Sequence, residues 1–159
     1  MKQNKDLVKI LKSILNDGLT TVNKYMVHSE MCENLGYSRL HMAIQKLAMD
    51  EMLHAEWLIE RILFLDDSSA LSKLSDIMIG RTVSELITNE KGDELDCIHA
   101  YRNAISLANA IADSDTADLL DKMLKVEEKH VRWARLQREQ IEQMGLDNYL
   151  VNQSESLVN

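Results

Sequence analysis

The chain has 159 residues, enough for one domain with a buried core, and 45% of its residues are hydrophobic. It contains no proline and only five glycines, which argues against a turn-rich β fold and favours long helices. The formal net charge of −8 argues against a nucleic-acid-binding surface, so we expect no nucleic-acid partner.

Compartment and membrane association can also be predicted from the sequence. Two cysteines, Cys32 and Cys97, are too few for a disulfide framework and indicate a reducing compartment. The first fifteen residues mix lysines and an aspartate with apolar residues, and no apolar run reaches the roughly 18 residues of a membrane span. We therefore expect a cytoplasmic protein that is not inserted in a membrane.

Apolar residues recur at helical spacing in four long segments and one short one. Gly36 separates the first two helices, and Gly145 ends the fourth. The polar run 113–115 precedes the fourth helix, with Ser114 or Asp115 as its expected N-cap. The predicted single domain covers residues 1–159, with helices at about 5–35, 38–65, 82–112, 114–144 and 146–151 and a tail to residue 159.

The lengths of the connections predict the topology. The breaks after the first and third helices are very short, so each pair must form an antiparallel hairpin. The connection over residues 66–81 is long enough to cross the length of a bundle. The predicted fold is all-α, a ferritin-like four-helix bundle with a long crossover and a short fifth C-terminal helix. An unrelated bundle or coiled coil is the alternative, but polar residues interrupt the apolar stripes near their midpoints.

Two Glu-x-x-His pairs, Glu51 with His54 and Glu127 with His130, lie within the second and fourth predicted helices. Three residues are almost one helical turn, so each carboxylate shares a face with its imidazole. Glu94 lies one heptad from Ile87 and from Tyr101, on the inward face of the third helix. This pattern is typical of a carboxylate-bridged dinuclear metal site in a four-helix bundle.

The ligand types predict which metal would bind. Several buried carboxylates repel one another, and a cation removes that penalty. Carboxylates and imidazoles suit iron or manganese, with zinc as a further candidate. The alternative interpretation is that these residues lie on the surface, or form internal salt bridges with lysines of the first helix.

The first helix lacks the fourth expected carboxylate. Its inward position between Ile14 and Tyr25 is Gly18, which can ligate nothing. Asp17 is adjacent, but one residue turns a helix by about 100° onto a different face. The dinuclear site is therefore predicted to be incomplete.

Several stretches of the sequence resemble bacterioferritin, and the resemblance covers nearly the whole chain. They are DEMLHAEWLIERILFL in the second helix, ELD around Glu94, EEKH in the fourth helix and the terminal QMGLDNYL. The resemblance implies a two-fold dimer within a 24-subunit cage that stores a ferric mineral core. It also implies a di-iron centre that oxidises Fe(II), and haem b held between two subunits by one methionine from each.

The resemblance also implies a role for individual residues. Glu51 and Glu127 match the bridging carboxylates, and His54 matches a ligand of the iron whose terminal carboxylate falls on Gly18. Glu94 and His130 match the terminal ligands of the other iron. Lys46 stands where the family can carry an inner-surface iron ligand, which puts that site in doubt, although its companion Asp50 is present.

Met52 matches the haem ligand of the family. It follows Glu51 and so points about 100° away from the metal face, towards a neighbouring subunit. A thioether is a known axial haem ligand, and a symmetric dimer supplies two copies. Without the resemblance, the favoured interpretation of Met52 is a packing residue at a dimer interface.

The combination of Gly18 and Met52 resembles the haem-bearing subunit type of mixed cages. The favoured hypothesis is a haem-binding cage subunit with an impaired ferroxidase centre, in which a redox protein reduces the haem and electrons pass inward to release iron. Iron oxidation would then be weak, or supplied by a second, complete subunit type. The alternatives are an active ferroxidase in which water or Asp17 replaces the missing ligand, and a structural cage subunit without bound metal.

Overall fold

The computed structural model describes residues 2–65, 81–88 and 90–154, and every regular element within them is an α-helix. Apolar residues at helical spacing and the absence of proline explain why the helices are so long. The helices are α1 (Lys2–Asn34), α2 (Ser38–Leu65), α3 (Val83–Thr88), α4 (Glu90–Ala110), α5 (Ser114–Met144) and α6 (Leu146–Gln153).

The long helices α1, α2, α4 and α5 form a four-helix bundle, and α6 is the short C-terminal helix, so the predicted fold class is confirmed. The pair α1 and α2 and the pair α4 and α5 each pack as a hairpin across a short turn. The stretch predicted as one helix over 82–112 contains α3 and α4, on either side of residue 89, which lies outside the described residues. The predicted crossover also falls largely outside them, at 66–80.

Gly36 forms the turn between α1 and α2. Its φ of +83° lies in the left-handed region that favours glycine, and the N–H of Tyr37 donates to the carbonyl of Cys32 at 2.9 Å. The bond closes the end of α1 and reverses the chain, so α2, which carries the first Glu-x-x-His motif, packs back along α1.

The turn between α4 and α5 uses Ala112 in place of a glycine, with a φ of +60°. Here the expected N-cap is wrong: Asp113, and neither Ser114 nor Asp115, caps α5. The Asp113 Oδ1 accepts a hydrogen bond from the Thr116 N–H at 3.1 Å, which satisfies one of the donors that have no partner within the first turn of the helix. The second oxygen of Asp113 accepts from the Thr116 hydroxyl, and Arg61 of α2 bonds the same carboxylate at 2.7 Å.

Two apolar clusters of described residues fill the bundle. One gathers side chains from the first half of α1, the second half of α2, α4 and the first half of α5. The other lies at the opposite end and includes side chains of α3 and α6, such as Tyr149. Along α2, Glu51 and His54 fall between Ile44 of the second cluster and Ala55 of the first. A buried polar layer therefore lies between the two apolar clusters.

Within the part of the chain that the structure describes, no helix combines the length and the apolar character needed to cross a membrane.

Candidate metal centre

At the first Glu-x-x-His motif, neighbouring residues of α2 lie on opposite sides of the helix, in the interior or at the surface. Glu51 is 5% exposed and His54 is 3% exposed, whereas Met52 is 53% exposed. A turn of about 100° per residue explains the contrast. The first Glu-x-x-His motif thus faces the interior, as its spacing predicts, and Met52 faces outward.

The second motif, Glu127 and His130 on α5, is buried against the first. The two motifs pair crosswise. His54 Nδ1 lies 2.9 Å from Glu127 Oε1, and His130 Nδ1 lies 3.2 Å from Glu51 Oε1. Each imidazole therefore bonds the carboxylate of the other helix, which locks α2 and α5 together through the polar layer.

Glu51, Glu127 and His130 form a group of potential metal ligands whose donor atoms all lie within 4.8 Å of one another. His54 joins the group through its bond to Glu127. In a protein without metal, imidazole N–H groups donate to the carboxylates in the positions where a cation would sit. Four of the five predicted metal ligands therefore converge.

The two carboxyl groups at the centre ionise differently. Burial raises the pKa of Glu51 to about 8, even though a hydrogen bond from His130 acts in the opposite direction. Burial also opposes the charge of Glu127, but hydrogen bonds from His54 and Glu51 outweigh it and lower the pKa of that carboxyl. It is energetically unfavourable for two adjacent buried carboxyl groups both to be ionised, so the pair retains a proton. A divalent cation can replace it.

Asp50 orients the imidazole of His130 from outside the group. His130 Nε2 lies 2.9 Å from Asp50 Oδ2, while Nδ1 faces Glu51. Burial lowers the basicity of this ring, but the bonds to Glu51 and Asp50 outweigh it and raise the pKa of His130. Lys46 lies 3.6 Å from the same oxygen of Asp50, with its side chain largely in solvent. A carboxylate behind a histidine fixes which nitrogen is presented to a metal.

Glu94, the fifth predicted ligand, is placed elsewhere. Its carboxylate accepts two parallel hydrogen bonds from the Arg138 guanidinium of α5, at 3.1 and 3.0 Å. The planar guanidinium matches a carboxylate edge to edge, and both side chains are largely buried. The structure therefore does not bring Glu94 into the group with Glu51, Glu127 and His130.

Gly18 leaves space beside α1. A Cβ built at this position would have no heavy atom within 4 Å, other than its chain neighbours and the backbone of its own helix. The adjacent Asp17 is exposed, whereas the carboxylates of the group are buried. The position predicted to lack a ligand is thus open to a larger side chain, and Asp17 does not share the environment of the group.

Sequence reasoning did not identify two residues that contact the predicted ligands. Arg138 holds Glu94, and Cys97 Sγ lies 3.9 Å from Glu127 Oε2. The spacing of Cys97, three residues after Glu94 and on the same face of α4, could have revealed the cysteine. Tyr101, the next position on that face, is buried, and burial followed by the charges of Glu127 and Glu51 raises the pKa of its phenol.

A bundle of four long helices with two Glu-x-x-His motifs facing each other defines a ferritin-like protein. The family model described as "Ferritin-like domain" matches residues 8–144.

Several curated proteins are similar over nearly the whole chain. The bacterial ferritin of Synechocystis sp. is 34% identical over 96% of this chain and 99% of its own length. The bacterioferritin of Mycolicibacterium paratuberculosis is 31% identical over 94% of both chains, and that of Streptomyces coelicolor is 29% identical over 94% of this chain and 90% of its own. The chain therefore belongs to the ferritin-like family and, by these relatives, to its bacterioferritins. The predicted family is confirmed, and an iron-storage subunit is supported.

Proposed function

We propose that this chain is a subunit of an iron-storage cage, with a haem-binding surface and a metal centre that oxidises Fe(II) poorly. The observation that carries the proposal is the buried group of Glu51, Glu127 and His130, with His54 attached to it. Buried carboxylates that face each other are costly unless a cation is bound between them. The donor set fits a divalent metal held between α2 and α5.

Two features support weak oxidation. Gly18 supplies no ligand from α1, and Glu94 of α4 is held by Arg138. A bridged two-metal centre in a bundle uses one further carboxylate from each of these helices. Because α1 and α4 supply no carboxylate to the centre, only two imidazoles and two carboxylates are left to bind the substrate Fe(II). These are too few donors to hold two ions firmly. Oxidation is then supplied by a second, complete subunit type in a mixed cage.

The exposed face of α2 supports the haem site. Met52 and Met49 are 53% and 64% exposed, and Met26 of α1 is exposed as well. Two thioethers, one from each subunit of a two-fold dimer, would hold a haem b, and the other exposed methionines would give it an apolar surface. When bound, the haem supplies electron transfer from a redox protein to the mineral, which releases iron.

A fully active oxidase with Asp17 as the substitute ligand has less support, because Asp17 is exposed whereas the group is buried. A structural subunit without metal has less support for a different reason. It would leave Glu51 and Glu127 buried together with only protons to balance their charge.

Restoring the missing ligand tests the impaired centre. Stopped-flow measurements of Fe(II) oxidation should show no fast phase in the native chain and a gain of about 10- to 100-fold in initial rate for Gly18→Glu. Gly18→Gln is the matched control, because it has the same length and no charge, and it should not gain activity. A stoichiometric fast phase in the native chain would contradict the proposal.

The haem assignment has a separate test. Cages reconstituted with haem should show the absorption spectrum of a thioether-ligated iron, and Met52→Leu should lose it. Met42→Leu, another exposed methionine of α2, is the control and should keep it. Native mass spectrometry of the cage from its own cells then counts subunit types, haems and irons. An unchanged spectrum in Met52→Leu refutes the ligand.

A further inference from the structure

A cavity lies between the second half of α2 and the first half of α5. Its volume is about 400 Å³, which falls within the range of about 300–1,000 Å³ that is usual for small-ligand sites. The lining side chains share one face of each helix, because they recur at spacings of three, four and seven residues. None of them is one of the proposed metal ligands, so the cavity is a separate candidate site.

Apolar and aromatic side chains form the walls of the cavity. Trp57 of α2 and Leu119 of α5 are half-buried, whereas Phe64 near the end of α2 is 75% exposed. A ligand that covers Phe64 removes apolar surface from water, which is favourable. Small-molecule sites typically combine such walls with a few polar groups that fix the orientation of the ligand.

Opposite charges lie at the two ends of the cavity. At one end, the Lys122 Nζ lies 4.3 Å from the centroid of the Trp57 ring. Asp115 precedes Lys122 by seven residues, so the two lie about 10 Å apart along the axis of α5. Because α2 and α5 are antiparallel, Asp115 is at the same end as Phe64. The cavity therefore presents a cation at its Trp57 end and an anion at its Phe64 end.

Neither of these charges is neutralised within the part of the chain that the structure describes. There the Lys122 ammonium makes no ion pair, and the carboxylates of Asp115 and Glu60 make no hydrogen bond or ion pair. By contrast, the Arg61 guanidinium, which also lines the cavity, bonds the Asp113 carboxylate at 2.7 Å. The arginine is thus already paired, and the other three charges are open to a ligand.

We propose that this cavity binds short zwitterionic peptides that carry an apolar side chain. Asp115 accepts hydrogen bonds from the terminal ammonium group, Lys122 donates to the terminal carboxylate, and Glu60 between them accepts from a peptide N–H. The apolar side chain of the peptide packs against Leu119 and Phe64. An extended chain spans about 3.3–3.6 Å per residue, so three residues cover the distance of about 10 Å. A single amino acid carries its two charges too close together to reach both ends.

Tryptophan fluorescence of the full-length assembled protein tests the proposal. The chain has two tryptophans, so Trp133→Phe leaves Trp57 as the only one, and its emission then reports on the cavity. The probe is the peptide alanyl-leucyl-alanine. We expect a saturable change in emission, and the N-acetylated and C-amidated forms of the peptide should bind about three- to fivefold more weakly, since each lacks one partly exposed charge pair. Calorimetry with the native chain should give the same dissociation constant.

Two variants assign the two ends of the cavity. Lys122→Gln should weaken binding of the free peptide by the same factor and leave binding of the C-amidated peptide unchanged. Asp115→Asn should weaken binding of the free peptide and leave binding of the N-acetylated peptide unchanged. Lys125→Gln is the matched control, because Lys125 is an exposed lysine of α5 that does not line the cavity. Sedimentation of each variant checks that its assembly is that of the native chain.

Three results would overturn the proposal. The first is the absence of saturable binding by the native assembled protein, which is the outcome if another copy of the chain covers the cavity. The second is equal binding of the free and the capped peptides. The third is an equal loss of affinity for all three peptides in Lys122→Gln. None of these results depends on a bound metal, so each leaves the proposed iron-storage function standing.

Discussion

The imidazole of His130 shows how one residue outside the metal group can control a ligand. Its Nε2 lies 2.9 Å from Asp50, so the N–H on that side is held by a carboxylate and Nδ1 is directed at Glu51. Interactions of this kind typically contribute a factor of about 10 to 100 in metal affinity. We expect Asp50→Ala to weaken zinc or cobalt binding by that factor.

Two further variants separate orientation from charge at Asp50. Asp50→Asn keeps an oxygen that accepts from Nε2–H, so it should lose less affinity than Asp50→Ala. Lys46→Met removes the exposed partner of Asp50 at 3.6 Å and should change affinity by less than about threefold, as expected for a surface ion pair. Chelator competition measures all three affinities. Equal affinity in the native chain and Asp50→Ala would mean that Asp50 does not position the ring.

His28 gives the stability of the bundle a dependence on pH. It is fully buried, and burial, together with nearby Lys24, lowers the pKa of its imidazole to about 4. An unfolded histidine has a pKa of about 6.5, so between these values the unfolded chain binds the extra proton. The contribution of His28 to the free energy of unfolding is therefore fully present above about pH 6.5, and it is lost as the pH is lowered towards 4.

The slope is about 1.4 kcal/mol for each pH unit within that window. We expect the native chain to lose about 2 kcal/mol more than His28→Gln between pH 6.5 and 5, because glutamine does not titrate. Urea unfolding at several pH values measures the difference between the two chains. If the free energies of unfolding of the two chains changed in parallel with pH, His28 would have to become protonated in the folded protein as readily as in the unfolded chain.

Residue-level prediction from the sequence succeeded where periodicity alone decides the environment. The inward direction of Glu51 and His54 and the outward direction of Met52 follow from helical geometry. Glu94 was misplaced because its partner, Arg138, is 44 residues away in the chain, and such a pair is invisible to a local pattern. Cys97 was overlooked because its contact, Glu127, is likewise on another helix.

At the level of elements, the turn between α4 and α5 contains a strained residue. Ala112 adopts a φ of +60°, and the N–H of Asp113 reaches back to the carbonyl of Ala108 at 2.9 Å. This is the helix-ending geometry in which glycine is favoured, since a side chain costs about 1 kcal/mol in the left-handed region. We expect Ala112→Gly to raise the free energy of unfolding by about 0.5–1 kcal/mol.

Ala110→Gly, two residues earlier, is the matched control. Ala110 is exposed and lies in the last turn of α4, where glycine loses backbone entropy without relieving strain. It should lower the free energy of unfolding by up to about 1 kcal/mol. Denaturant unfolding compares both with the native chain, and a destabilised Ala112→Gly would show that the turn is not strained.

Elements were predicted well where a single residue type decides the outcome. Gly36 and Gly145 mark helix ends because a positive φ is easiest for glycine. The cap of α5 was misassigned by one or two residues, since Asp113, Ser114 and Asp115 are all good capping residues and only tertiary contacts, including the bond from Arg61, select among them.

At the scale of the whole molecule, we expect the exposed methionines of α1 and α2 to lie in the two-fold contact proposed for the haem site. Met26, Met49 and Met52 are each more than half exposed, and the neighbouring Leu53 is 43% exposed. Exposed large apolar side chains of this kind fit a surface that a second copy of the chain covers. Helical periodicity predicts that Met52 faces outward, but it does not distinguish an exposed residue that solvent covers from one that a second copy of the chain covers.

A two-fold interface contains each of these residues twice, so a substitution acts on both copies. Replacing Met49 and Met52 together by lysine removes apolar burial and places four cations in the contact. We expect the dimer to weaken at least about a hundredfold, which is about 3 kcal/mol. Analytical ultracentrifugation over a range of concentrations measures the dissociation constant of the dimer.

Leu95→Lys is the control, because Leu95 is as exposed but lies on α4, and it should leave the dimer intact. A double variant that still sediments as the native assembly would place the interface on another face and would separate Met52 from the two-fold axis that a shared haem requires.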